Sequence, residues 1–583
     1  MADEYGTRGD PRTRRSRYGR IKEALWMERS SFDAHWRELG DWMLPRRIRF
    51  TTSDRNKGDK RNQNIIDSTA RFAARTLQSG LHAGLTSPAR PWMKLTTPDP
   101  DLAQFQPVKE WLHVVTQRML TVFQQTNLYN MLPIVYGDMG VFGTACMSLL
   151  EDTKDLFRCY TYPIGTYALG LNKRGLATTF VREYELSVRQ VVEEFGVERG
   201  GRDIDWSNIS AAVKRLWDSG DYEAAVQICW IVLPNEDARP TRLEAKYLPW
   251  SSCHFELGAD ENKFLRESGF RSFPILAPRW DVTGEDSYGT DCPGMTALGD
   301  VKQLQLMQRD KARAIKKMID PPLVGPTALK TQKTSLLPGD ITYVDTREGM
   351  QGLRSIHEIP INIEHLTRDI GETQYRIQRA FYEDLFLMLA QSDRIRGSQP
   401  VTAREVDERH EEKLLALGPV LERTNDELLD PLVDRAYMLM DAAGLIPDPP
   451  AQLEGVDLKV EYISIMAQAQ KLVGVVGQDR FVMSASPMIE VFPEVRHKIN
   501  VFQIVDNYGE MLGVDPRIIV PTDQAQQALD QERQAAQSQA DAAQAVAYAK
   551  AAKDASQTPM TGDTALNQLV SGAAAAAVPA TVQ

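Results

Sequence analysis

The residues able to do chemistry in this chain of 583 fall into patterns that stop short of an active site. GPTALKT, residues 325–331, ends in Lys330 and Thr331 as a phosphate-binding loop does. Leu329 stands where that loop needs a glycine, and no buried strand leads into it, so its backbone cannot cradle a phosphate. GDMGVFGT spaces Gly137, Gly140 and Gly143 by three, unlike the G-x-G-x-x-G of a dinucleotide turn, and small residues at that interval let helices approach closely. His35, His82, His113, His254, His357, His365, His410 and His497 form no H-E-x-x-H set, and no G-x-S-x-G elbow is present. Cys146, Cys159, Cys229, Cys253 and Cys292 make an odd count without a C-x-x-C pair, which argues against zinc or a disulfide framework and for reduced core residues in a cytosolic setting. The acidic run DERHEEK, residues 407–413, reads as solvated charge on a helix. No catalytic site, cofactor or metal is expected.

A further pattern is one of charge along a helix. In MTALGDVKQLQLMQRDKARAIKKMIDPP, 100° per residue places Val301, Leu304, Met307, Ile315, Met318 and Ile319 on one helix face. Lys302, Arg309, Arg313 and Lys316 fall on the opposite face as a basic stripe. It either meets phosphates or is a solvated helix face. The loop AQSDRIRGSQP adds Arg394 and Arg396.

The elements that must carry these residues follow from periodicity. GRIKEALWMERSSFDAHWRELGDWML repeats Ile21, Leu25, Trp26, Phe32, Trp36, Leu39 and Trp42 at helical spacing, and Pro45 closes it. DSTARFAARTLQSGLHAGL carries Phe72, Leu77, Leu81 and Leu85 likewise. Residues 79–95, SGLHAGLTSPARPWMKL, fit neither helix nor strand cleanly; Pro88 and Pro91 stop a helix, and Trp92 and Met93 are expected to plug a core edge. PVKEWLHVVTQRMLTVFQQT is a further helix, punctuated by Pro107. From about residue 157 aromatic and polar residues alternate around NKRG, residues 172–175, a hairpin signature. AAVQICWIVLP, LEAKYLPWSS and KFLRESGFRSFPILAPRW extend this into an antiparallel sheet, giving an α+β, mainly helical chain.

Beyond the basic helix, Pro321 and Pro322 open a Gly/Pro-rich insertion, which ends at a helix over 364–389. Thr402 and Glu405 form a capping box for a long helix whose core face includes Val406, Leu414, Leu421, Leu428, Leu432 and Tyr437, and Pro419 and Pro431 should kink it. After Pro521 an Ala/Gln-rich segment has high helix propensity but little to bury. It either frays alone or packs against its own copies.

Composition bounds the rest: 42% hydrophobic and 25% charged residues suit several globular cores, and a net charge of −11 does not advertise nucleic-acid binding. The first twenty residues lack a signal peptide's apolar region but hold Arg8, Arg12, Arg14, Arg15, Arg17 and Arg20, read as a basic, mobile arm. No run of about 18 apolar residues occurs, so neither secretion nor a membrane span is expected.

Taken in order, GLTSPARPWMKL, YGDMGVFGTACMSLLED, YPIGTYALGLNKRG, FPILAPRWDVTGEDSYGTDCPGMTALGDVKQLQ and VTAREVDERHEEKLLALGPVLERTNDELLDPL make residues 20–520 resemble the head-to-tail connector, or portal, proteins of tailed bacteriophages, in their short-tailed (podovirus) branch. That resemblance implies a dodecameric ring at one capsid vertex, through which double-stranded DNA passes without sequence readout. Partners would be terminase, the major capsid and scaffolding proteins and tail adaptors. It would sit in the virion after assembly in the host cytoplasm.

The same resemblance divides the chain into an arm (1–20), a wing (21–296), stem helices at 297–319 and 364–389 around a clip (320–363), a channel loop (390–401), a kinked wing helix (402–443), a crown (444–520) and a helical barrel and tail (521–583). Residues 79–95 become a structural junction in the wing. The DNA-channel candidates are Lys302, Arg309, Arg313, Lys316, Arg394 and Arg396. A packaging ATPase or nuclease is disfavoured by the missing phosphate loop; another virion structural protein, such as a tail-tube or internal core component, is the alternative.

Overall fold

The computed structural model describes residues 11–51, 58, 60–61, 63–99, 102–103, 105–197, 203–239, 241–242, 244–259, 263–319, 323–324, 354–355, 363–387, 417–453, 455–463, 499–505, 518, 520 and 522–556. They belong to two units, Met1–Pro487 and Met488–Gln583.

The first described element is α1 (Pro11–Trp42), whose first turns take up residues 11–20, the second half of the expected arm; the first half lies outside the described residues. The correction has a physical cause: the cations there are spent on carboxylates and rings of the sheet. Arg14 pairs with Glu267 and Arg17 with Glu236, Lys22 reaches Glu183 at 2.6 Å, and Arg15 lies buried with its guanidinium 3.6 Å from the Phe255 ring centre. Trp36 anchors the far end, donating to the Phe142 carbonyl at 3.0 Å and standing edge-on to Tyr288.

Helix α2 (Thr69–Leu85) buries Leu77, Leu81 and Leu85 as expected, but leaves Phe72 exposed. After it, Trp92 is fully buried, donates to Tyr129 Oη at 3.0 Å and stacks on Phe123 and Tyr462. Residues 79–95 thus serve packing, and β1 (Met93–Thr96) pairs antiparallel with β12 (Lys459–Tyr462), near the opposite end of the unit.

Helices α3 (Gln106–Gln125) and α4 (Leu128–Phe142) complete this helical layer. The glycine spacing of α4 is used for close approach: a Cβ on Gly140 would lie 2.4 Å from the Leu77 side chain of α2, and one on Gly137 2.9 Å from Gln78. Gly143 ends the helix at φ 76, a left-handed conformation that favours glycine.

Strands β2 (Met147–Asp152) and β3 (Leu156–Thr161) form a three-stranded sheet with β9 (Ile275–Leu276), in the order β3-β2-β9. Strands β4 (Tyr167–Leu171), β5 (Ala177–Ser187), β6 (Ala225–Pro234), β7 (Trp250–Glu256) and β8 (Arg266–Phe270) make a five-stranded antiparallel meander. The NKRG turn joins β4 to β5, with the Asn172 side chain accepting from the Arg174 and Leu176 amides. LEAKYLPWSS is strand only from Trp250; Ala245–Tyr247 is a 3-10 turn.

One face of the meander packs on α1 through Tyr18, Val181, Cys229, Ile231, Cys253 and Phe255. The other carries a small lobe, in which Val188, Val192 and Val213 of α5 (Ala211–Asp218) and its neighbours cover Ile228. All five cysteines are free and buried, and burial pushes the Cys159 and Cys292 thiols up to about 12, so they are packing residues.

Helix α6 (Pro293–Ile319) carries the basic stripe and packs against α7 (Ile363–Ala380). Between them, β10 (Leu323–Val324) pairs antiparallel with β11 (Arg354–Ser355), so the insertion returns to its own base. The second helix is not continuous to residue 389. It stops at Ala380, Tyr382 takes φ 54, and helix resumes over 383–387. The break seats Phe386 against Gly80, where a Cβ would lie 2.2 Å from its ring.

The capping box at Thr402 and Glu405 lies outside the described residues. The later part of that segment is α8 (Gly418–Thr424), a π-helical stretch Asn425–Leu429 and α9 (Asp430–Ala442). Pro419 occupies a first-turn position of α8, where a missing amide costs nothing, whereas Pro431 follows directly on the π-helical stretch within a backbone that stays helical from Gly418 to Ala442, so the irregularity falls where a proline-disrupted helix was expected. In the second unit, α10 (Thr522–Ser556) forms where the Ala/Gln composition predicts it and exposes Leu529, Val546 and Tyr548.

Candidate channel-facing helix pair

The root of α6 is built into the core: Ala297, Leu298, Val301 and Leu304 are buried, and Gly294 packs so tightly that a Cβ would meet the Val141 carbonyl oxygen at 2.3 Å. Asp300 receives Arg376 of α7 at 3.1 Å. Next to it, buried Gln305 accepts from the amides of Ile66 and Asp67 at 2.6 and 2.8 Å and donates to the Asp67 carbonyl at 2.8 Å.

Asp67 joins three helices. Its carboxylate caps α2 by accepting from the Thr69 amide at 2.8 Å, while Gln308 of α6 and Gln374 of α7 donate to its other oxygen at 2.8 and 2.9 Å. Burial works to raise this carboxyl, but the hydrogen bonds from Thr69, Gln374 and Gln308 overcome it and hold the group below the usual carboxylate range.

Beyond Gln308 the helix leaves the packed part of the subunit. The face read as apolar splits: Val301 and Leu304 are buried and Met307 half-buried, whereas Ile315, Met318 and Ile319 are 37%, 54% and 79% exposed. The stripe splits at the same place. Lys302 is ion-paired with Glu38 of α1, while Arg309, Arg313 and Lys316 are exposed. Arg313 stands 3.6 Å from Asp310 on its own helix; Arg309 and Lys316 form no ion pair among the described residues. Arg394 and Arg396 lie outside the described residues. Of the four stripe residues, three therefore face solvent on an anchored rod and the fourth is spent on subunit structure.

Sequence reading missed the Asp67 clamp. Its one local signal was the Asp-Ser-Thr start of α2, a helix N-terminal composition; Gln305, Gln308 and Gln374 carry no signal by type or spacing. Chemically the surface offers isolated positive charge, screened by salt and unable to read bases. Among the described residues no group of three or more His, Cys, Asp or Glu is placed to hold a metal, and no described helix is long and apolar enough to cross a membrane.

The described residues thus hold an anchored helix pair, an insertion closed at its base and a β-rich lobe in a mixed helix-and-antiparallel-sheet chain. Residues 15–520 match the family described as bacteriophage head to tail connecting protein, and the chain belongs to that family. The portal protein of Salmonella phage epsilon15 is 44% identical over 548 residues, covering 94% of this chain and 96% of that protein. The probable portal protein of Bordetella phage BPP-1 is 42% identical over 522 residues, covering 89% and 91%. The function is that of a portal, connecting head and tail in a phage virion.

Proposed function

We propose that copies of this chain close into a dodecameric ring at one capsid vertex, and that double-stranded DNA enters and leaves through its channel. The observation that carries this is the outer half of α6, where Ile315, Met318 and Ile319 are uncovered opposite Arg309, Arg313 and Lys316. A helix that is apolar on one side, basic on the other and unburied within its subunit suits a neighbouring subunit and a polyanion at once. The stem is residues 297–319 and 364–389, the clip 320–363, the channel loop 390–401, the wing 21–296 with 402–443, the crown 444–520 and the barrel 521–583.

The clip docks terminase during packaging and tail adaptors afterwards, while capsid and scaffolding proteins hold the ring during assembly in the host cytoplasm. The subunit performs no catalysis. Net acidity with sparse cations lets DNA slide, because each neutralised phosphate adds counterion release and a uniformly basic lumen would hold the polymer. Light scattering coupled to size exclusion should give a species many times 65.6 kDa, and negative-stain images a short ring with a central hole. A persistent monomer would overturn the ring, and a long tube would favour a tail-tube role.

A further inference from the structure

Two large apolar side chains stand bare on helices whose other faces are packed. On α2 the buried Ala73, Leu77 and Leu81 face the core, and at 100° per residue Phe72 turns away from them, 61% exposed, between Arg71 and Arg75. On α1 Met27 is 77% exposed. Glu38 follows it by about three helical turns and so lies on the same side of α1. At Glu38 that side meets Lys302 of α6, whereas around Met27 it carries Ala24, Ser31 and Ala34, all exposed. Aromatic residues, Met and Arg are the types that interface cores collect.

The charges around the two anchors are opposite. Helix α2 holds no acid along its length, and its exposed Arg71 and Arg75 form no ion pair among the described residues. Glu383, packed beside this helix, bonds to Thr76 instead. Around Met27 stand Glu23 and Glu28 against one cation, Arg20. Glu28 accepts from Ser287 at 2.5 Å, which draws in the loop that also carries Glu285 and Asp286. Glu23, Glu285 and Asp286 likewise form no ion pair among the described residues.

These signs decide the occupant. Two copies joined Phe72 to Phe72 would press arginines on arginines, and joined Met27 to Met27 would press acids on acids, so like charge opposes either two-fold pairing. Phe72 of one copy against Met27 of the next sets Arg71 and Arg75 among carboxylates and covers both apolar side chains at once. A contact between unlike patches is heterologous, the kind that closes into rings. We infer that the Phe72 face of α2 docks on the Met27 face of α1 in a second copy of this chain. The inference rests on the ring reading above and names one of its interfaces.

The test places cysteines at the two anchors of the full chain and treats assembled protein with a short bis-maleimide; the five native cysteines are buried and leave the reagent to the new ones. Protein carrying Phe72→Cys with Met27→Cys should give a ladder of covalent oligomers, while either single variant stays at the mass of one chain. Separately, Arg71→Glu with Arg75→Glu should melt like wild type as a monomer but need roughly tenfold more protein to assemble, and adding Glu23→Arg with Glu285→Arg should restore assembly. This charge reversal decides alone if the cysteine pair itself prevents assembly. Dimers from a single cysteine variant, linkage confined to one chain, rings that form without linkage, assembly of Arg71→Glu with Arg75→Glu at wild-type concentration, or no recovery by the added pair would each overturn the docking and leave the ring standing. A wild-type chain that never assembles would instead overturn the ring, and the docking with it.

Discussion

Arg279 and Glu427, 148 residues apart, meet side chain to side chain with both groups only 8% exposed. The Glu427 carboxylate accepts from Arg279 Nε at 3.1 Å and from its backbone amide at 2.8 Å, while the remaining guanidinium donors reach the carbonyls of Gly175 and Asp286 at 2.6 and 2.9 Å. One arginine thus ties the hairpin turn, the approach to α6 and the π-helical stretch before α9.

Removing one partner of a buried ion pair strands the other, at a cost of about 3–5 kcal/mol. Glu427→Ala should therefore lower the urea midpoint by a large margin, whereas replacing both residues by apolar ones of similar volume should recover much of the loss. A Glu427→Ala midpoint equal to wild type would show that the contact carries no stability.

The Asp67 clamp makes a prediction in pH. Its folded pKa is depressed, so the stability it contributes is fully present above the ordinary carboxylate value and is lost as pH falls through the lower folded value. Asp67→Ala should cost about 1–3 kcal/mol at neutral pH by leaving Gln308 and Gln374 unmatched and uncapping α2. Urea curves from pH 7 down to 2 check this: the gap between wild type and variant should close in acid. A constant gap would mean that the carboxylate charge is irrelevant.

For the exposed cations, Arg309→Ala with Arg313→Ala should let packaged DNA leak, and should also loosen the ring where these residues bridge to a neighbour's acid. Arg394→Ala with Arg396→Ala should affect DNA retention alone. Retention measured by nuclease sensitivity of filled heads, across a salt series, separates the two. Normal retention and ring stability in both double variants would assign the stripe to a solvated face.

The insertion between α6 and α7 closes through Leu323–Val324 and Arg354–Ser355, so removing residues 326–352 spares both ladder ends. Rings should persist while packaging or tail attachment fails. Loss of the rings would place the insertion in the subunit interface.

Periodicity located the helices around Trp36, Trp111 and Leu304 and the NKRG hairpin because each buries one regular face, and a regular face is written locally. The helix break at Tyr382 was illegible because its cause is Phe386 fitting a gap at Gly80, some 300 residues earlier in the chain. The N-terminal arginines misled for a similar reason: a basic run looks solvated until the acids that meet it, Glu236 and Glu267, fold into place. At the candidate site the stripe was visible by spacing, but its division at Gln308 was not, since it depends on where Asp67 lies.

The pairing of β1 with β12 joins an early stretch of the chain to a late one. Trp92 stacks on Tyr462, which leaves the ribosome about 370 residues after β1, roughly 20–70 s of synthesis at common rates. During that interval β1 is an unpaired edge beside an uncovered tryptophan, a surface that chaperones recognise and that aggregates form on. Chains cut short before β12 never close this seam. A copy that stops before Lys459 therefore lacks the strand that pairs with β1 and the tyrosine that stacks on Trp92.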